Sequence, residues 1–410
     1  MMTNGQVLGW AACAALLLTS LGCDGPSATF RRYETFAAKA SDGDFPEAKW
    51  RGVDEALAGL YGTPDDPQLP AVEGIEQLMS LGNLQLAAGP VKSDEHGTAY
   101  GLYREHCAHC HGVTGDGNGP TAAFLNPYPR DYRRGIFKFK STPAENRPTH
   151  GDLKQIIVNG IPGTAMPSFK LLLDSEVEAL TEYVKYLSIR GETERKLIAL
   201  AVDSDDEKLV DVKDAAKMKE QAAEVLNQVN DVVAGWVSAP TTVPEVTPRP
   251  EMSAEELTAS VQRGRNLFYG AVANCVKCHG DSALGDGQTD SVDKWTEEFV
   301  DPTKINDKND LAKAERKYEA LGMLKLRTIR PRNLRMGIFR GGLRPIDIHL
   351  RIRHGIAGSP MPGMNLVTEK SSKALTESDV WDLVNYVQQL PYEPASEPAI
   401  AELTDLRERM

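Results

Sequence analysis

Apolar positions recur at helical spacing at the ends of two similar stretches. Val177, Leu180, Val184 and Leu187 line one face over residues 175–187. Val380, Leu383, Val387 and Leu390 repeat the same intervals over residues 378–390. Each set predicts an amphipathic helix closing a domain. Shorter helical patterns at 53–60 and 72–84 are separated by a Pro- and Asp-rich piece at 62–70, which predicts a spacer with one or two small helices. Residues 213–233 have helical periodicity in Ala, Glu, Lys and Gln, and 238–250 form a proline-rich, semi-stiff linker.

One apolar run behaves differently. Val7 to Leu21 is too short for a confident membrane span and suits the central region of a signal peptide. It ends in Leu21-Gly22-Cys23, which resembles the lipobox of bacterial lipoproteins and implies lipidation of Cys23. Ser20 departs from that pattern, as does a leader lacking Lys and Arg. Plain cleavage and a retained helix are the alternatives. All three place the chain outside the cytoplasm, on the periplasmic side of a bacterial membrane.

The chain has 410 residues, enough for two to three domains at about 150 residues each. A net charge of −12 argues against nucleic acid and anionic lipid as partners and permits docking to a basic patch on a redox partner. Two of the six cysteines, Cys13 and Cys23, fall in the leader, so none remain for a disulfide framework.

The other four carry the chemistry. Cys107-Ala108-His109-Cys110-His111 and Cys275-Val276-Lys277-Cys278-His279 both read C-x-x-C-H, the attachment signature of a c-type haem. Two thiols at this spacing can each bond one haem vinyl group, and the next histidine is held beneath the iron. A zinc knuckle or a redox disulfide is the alternative for C-x-x-C alone. The halves match further. Gly115-Asp116-Gly117 pairs with Gly285-Asp286-Gly287, the stretch 129–137 with 331–339, Asp152 with Asp347, and Leu102-Tyr103 with Leu267-Phe268. Arg130 and, in the repeat, Arg332 are candidates to neutralise haem propionates.

These motifs make the chain resemble bacterial di-haem c-type cytochromes built from two class I cytochrome c domains. The resemblance implies an all-α fold, with several helices wrapping each of two covalent haems. It assigns Met166 and Met361, each set between Gly and Pro in an irregular loop, as distal ligands opposite His111 and His279. His150 is the runner-up in the first half. Met364, His349 and His354 compete in the second. It also implies that the Pro120 carbonyl meets the second nitrogen of His111. The second half has no such proline, which leaves the His279 partner open.

The expected layout is a signal peptide at 1–23, N-terminal helices at 24–91, a first haem domain at 92–191 and a connector at 192–251. A second haem domain at 252–393 and a tail at 394–410 complete it. The second domain carries a charged, helix-prone insertion at about 288–326, read as a surface elaboration, with a docking element or haem cover as the alternative. Two six-coordinate haems suit one-electron transfer between membrane respiratory complexes, such as a quinol-oxidising complex and a terminal oxidase, or with another redox protein. That reading expects no catalytic residue and an electron carrier in place of an enzyme. The alternative is a di-haem redox enzyme, of the peroxidase or thiosulfate- or nitrite-oxidising kind, with one open haem site.

Overall fold

The structure is a computed structural model and describes residues 27–206, 208–368 and 373–394. The leader, Cys23 and residues 395–410 lie outside the described residues. The chain folds as helices, with one small hairpin pairing Lys92–Ser93 to Ala99–Tyr100. No helix among the described residues is long and apolar enough to cross a membrane.

Two hydrophobic cores form. The second is built where the helix Ala254–Tyr269 crosses Glu377–Gln389. Both helices begin with capping boxes, Ser253 with Glu256 and Thr376 with Asp379, which satisfy backbone donors that a helix start leaves free. Gly264 sits at the crossing, where a Cβ would collide with the Asp382 carbonyl. The buried Asp382 carboxylate is met by Ser260 and by the Arg263 guanidinium at 2.7 and 2.8 Å, so its burial leaves no oxygen unpaired.

The first core reaches beyond residues 92–191 on both sides. Trp50, Val53, Leu57 and Tyr61 of the helix Glu47–Tyr61 join it, as do Val225, Val229, Val233 and Trp236 of the helix Ala215–Val237. The N-terminal helices and the connector are therefore walls of the first unit. Its closing helix runs over Asp174–Asp203, well past the residue 187 expected from the apolar stripe. The extension stays buried through paired polar groups. Arg190 binds Glu194 at 2.9 Å, Glu194 also accepts the Tyr33 N–H at 2.7 Å, and Thr193 pairs with Tyr61 at 2.8 Å. Glu192 accepts from Trp236 Nε1 at 2.8 Å and from Arg147.

The inserted segment is not a free surface elaboration. Phe299 packs on the first core, 6.4 Å from Tyr33 between ring centroids. Glu298 meets Arg195 at 2.9 Å, Arg134 at 3.2 Å and Lys39 at 3.6 Å, all from the first unit. Asp293 pairs with Lys138, and Arg327 donates to the Leu125 carbonyl. The insertion is a clasp across the two units.

Candidate functional site

Each C-x-x-C-H motif forms one short helical turn, Ala108–His111 and Val276–His279. None of the four cysteines is paired in a disulfide. The turns end at Gly112 and Gly280, both at positive φ. A returning loop then folds back on the histidine: Gly117 N–H donates to the His111 carbonyl at 2.9 Å and Gly285 N–H to the His279 carbonyl at 2.8 Å. Gly117 and Gly285 are thus equivalent. The sequence pairing of Gly115-Asp116-Gly117 with Gly285-Asp286-Gly287 is corrected by a shift of register. A Cβ at either glycine would press on the next segment, at Pro129 and Asp131 or at Pro331 and Arg332.

That close approach fixes the histidines. His111 Nδ1 lies 3.1 Å from the Arg130 carbonyl, and His279 Nδ1 lies 3.1 Å from the Arg332 carbonyl. A carbonyl only accepts, so each Nδ1 carries the proton and each Nε2 presents its lone pair. Burial pushes His111 down to about 4 and lowers His279 as well, which keeps both imidazoles neutral and able to bind a metal ion. The expected Pro120 carbonyl is corrected. Pro120 is exposed, ahead of the turn Ala122–Phe124, and Arg130 supplies the acceptor for His111. Tyr132 stacks on the His111 ring at 4.7 Å. The repeated Pro-Arg element meets each histidine through its backbone.

The methionine loops match atom for atom. Ile161 N–H donates to the Met166 carbonyl and Ile356 N–H to the Met361 carbonyl, both at 3.1 Å. Thr164 and Ser359 hydroxyls each donate back to that isoleucine's carbonyl at 2.8 Å. Met364 packs against the second core, while Met166 and Met361 belong to neither core. His150 is engaged by Glu178 at 2.8 Å and Lys185 at 3.1 Å. His349 is enclosed against Trp381 with Glu377 at 3.1 Å. His106 lies beside Phe169 and His109 is exposed.

The two sites meet crosswise. Gly163 of the first methionine loop lies against Arg332 and Ile338, and its carbonyl accepts from Arg340 at 3.3 Å. Gly358 of the second loop lies against Trp295, which packs on Arg130. The first methionine loop therefore faces the segment that holds the second domain's histidine, and the second loop reaches the first domain's histidine segment through Trp295.

The cytochrome c family model matches residues 98–188 and 261–391, together more than half of the chain. The chain belongs to the cytochrome c family. Its members hold haem c covalently and move electrons through it, so this cytochrome has redox partners. Comparison with curated proteins finds no match. Among solved structures, the cytochrome is similar to a chain of the reducing HAO-like protein complex of Kuenenia stuttgartiensis. That match has 20% identity and a TM-score of 0.45, covering 73% of this chain and 97% of the other. It corrects one expectation. The expectation of an electron carrier in place of an enzyme is withdrawn. At this TM-score the likeness assigns no activity in its place.

The residues present fit the haem. Paired thiols, a neutral imidazole with a bare Nε2 and a thioether loop make up the donor set in each half. The group's carboxylates also find counterparts. Arg332 Nε, Arg340 Nε and Arg351 Nε are buried without a hydrogen-bond partner, a costly state for cationic nitrogens unless an anion meets them. The Arg130 guanidinium instead covers the Trp295 ring, 3.2 Å from its centroid.

Proposed function

We propose that the chain is a di-haem electron relay. Cys107 and Cys110 would attach one haem, with His111 and Met166 as its axial ligands. Cys275, Cys278, His279 and Met361 would hold the other. The observation that carries this reading is the repeated arrangement of backbone carbonyl, histidine and methionine loop, the first loop set against the other domain's histidine segment and the second linked to it through Trp295. When bound, the haem supplies a one-electron couple whose potential a thioether ligand raises. The chain's own residues orient it. Arg130 and Arg332 carbonyls lock the imidazole rings, glycines bring the backbone close, and Arg332, Arg340 and Arg351 offer charge to carboxylates.

For location and partners, the lipobox-like Cys23 supports a lipid-anchored protein on the periplasmic side of a membrane. Electrons would pass between a quinol-oxidising complex and a terminal oxidase, or another redox protein. The relay serves a free carrier and the electron-transferring part of an enzyme complex equally well. Co-purification after detergent extraction separates the two.

The ligand assignment has a direct test. Met361→Ala is expected to convert the second haem to a form that binds carbon monoxide rapidly. Its potential should fall on the order of 0.1 V, within the roughly 0.8 V that axial ligation spans. Met364→Ala should leave spectrum and potential in place and cost only packing, up to about 2–5 kcal/mol. Spectra of Met361→Ala unchanged from the parent would refute the assignment.

A further inference from the structure

Trp295 comes from the second domain's insertion yet touches both sites. The Arg130 guanidinium covers its ring at 3.2 Å, and Arg134 and Lys138 stand 5.1 and 5.9 Å from the ring centroid. Its Nε1–H donates to the Asp131 carbonyl at 3.3 Å. Asp131 follows Arg130, whose carbonyl accepts the hydrogen bond from His111 Nδ1–H. On its other side the indole rests on Gly358, in the loop that leads to Met361. Gly358 has φ +69°, and a Cβ there would overlap the six-membered ring. The opposite crossing, at Gly163, brings Arg332 and Ile338 into place without an aromatic ring between.

We infer that Trp295 is a positioning residue for electron passage between the two haem sites. It completes a path of bonds and touching atoms from His111, through Arg130 and Asp131, across the indole, to Gly358 in the Met361 loop. The inference rests on the relay reading. Electrons tunnel far better through bonds, hydrogen bonds and close contacts than through a gap, so a ring that fills the gap sets the rate. The indole does not itself become oxidised. Arg130, Arg134 and Lys138 surround it, and their charge opposes removing an electron from it. One electron leaves one site and one arrives at the other. No bond forms or breaks, and Trp295 begins and ends neutral.

The test uses the full-length holoprotein with both haems attached. A short reducing pulse is given, and redistribution of the electron between the haems is followed by absorbance. Trp295→Leu should slow redistribution about tenfold or more, as small geometric losses do at other reacting centres. Trp295→Phe should give an intermediate rate, since a ring remains but the donor to Asp131 is lost. Lys304→Gln, at an exposed position of the same insertion, should keep the parent rate. Midpoint potentials and sedimentation should stay at parent values in Trp295→Phe, a result that simple loosening of the clasp would not give. An unchanged rate in Trp295→Phe and Trp295→Leu with the units still docked would overturn the inference. If Trp295→Leu separates the units, a parent-like rate in Trp295→Phe would overturn it. Absence of electron exchange in the unaltered protein would overturn the relay itself, and the bridge with it.

Discussion

Replacing His111 with alanine is expected to abolish the low-spin haem of the first domain and to lower that unit's melting temperature more than His279→Ala lowers the second's. The reason lies in what each imidazole does besides ligation. His111 is stacked on Tyr132 at 4.7 Å, and Tyr132 in turn stacks on Phe137 inside the first core. Such an aromatic pair is worth about 0.5–1.5 kcal/mol. His279 has a looser neighbour, Phe268, at 6.3 Å. Both variants leave a carbonyl, of Arg130 or Arg332, without its donor, at a cost of about 1–3 kcal/mol if no water reaches it. Both also remove the proposed proximal ligand, and with it the stability that a bound group would lend to the folded state. Difference spectra together with thermal melts of the two holoproteins would check the ranking. A normal low-spin spectrum for the first domain of His111→Ala would contradict it.

Glu298→Ala should release the clasp. Its carboxylate is nearly enclosed, with 9% of the side chain exposed, and it faces Arg195, Arg134 and Lys39. Burial by itself would raise its pKa. The Arg195 and Arg134 guanidiniums outweigh that and hold it below the ordinary 4.5. Removing one partner of a buried ionic cluster costs about 3–5 kcal/mol, because the remaining charges are left unpaired. A group whose folded pKa is depressed contributes stability above its unfolded value, and that stability is lost as pH falls through the folded value. The unaltered clasp should therefore hold at neutral pH and loosen in acid below the usual carboxylate range, with the Asp293 carboxyl, held low by Lys138 and Arg130, following the same direction. Glu298→Ala should be loose at neutral pH already. Limited proteolysis within residues 288–326, read against pH for both proteins, would show it. Equal protection of parent and variant at neutral pH would count against the clasp.

The family was legible in the sequence because haem attachment needs particular side chains at fixed spacing. C-x-x-C-H and the Gly/Pro-framed methionines admit few substitutes, and the closing helices display an apolar stripe on one face. What escaped was held by groups that leave no such trace. The acceptor for each proximal histidine is a backbone carbonyl, at Arg130 and Arg332, and a carbonyl looks the same at every residue. The part of the helix Asp174–Asp203 beyond residue 191 falls in the expected connector, since Glu192 and Glu194 look like solvated surface. Their burial is possible only through partners distant in the chain, Trp236, Arg147 and Tyr33 among them. The insertion looked like surface for the same reason, since the cations that neutralise Glu298 and Asp293 come from the other unit. Charge patterns along a chain report local solvent exposure well and long-range pairing poorly.

Every step of the relay depends on iron held between an imidazole and a thioether in both halves. A spectroscopic redox titration of holoprotein purified from its native host tests this most directly. The result expected is two covalently attached haems per chain, each six-coordinate and low-spin, each taking up one electron. A single haem per chain, or five-coordinate iron in either half as isolated, would contradict it.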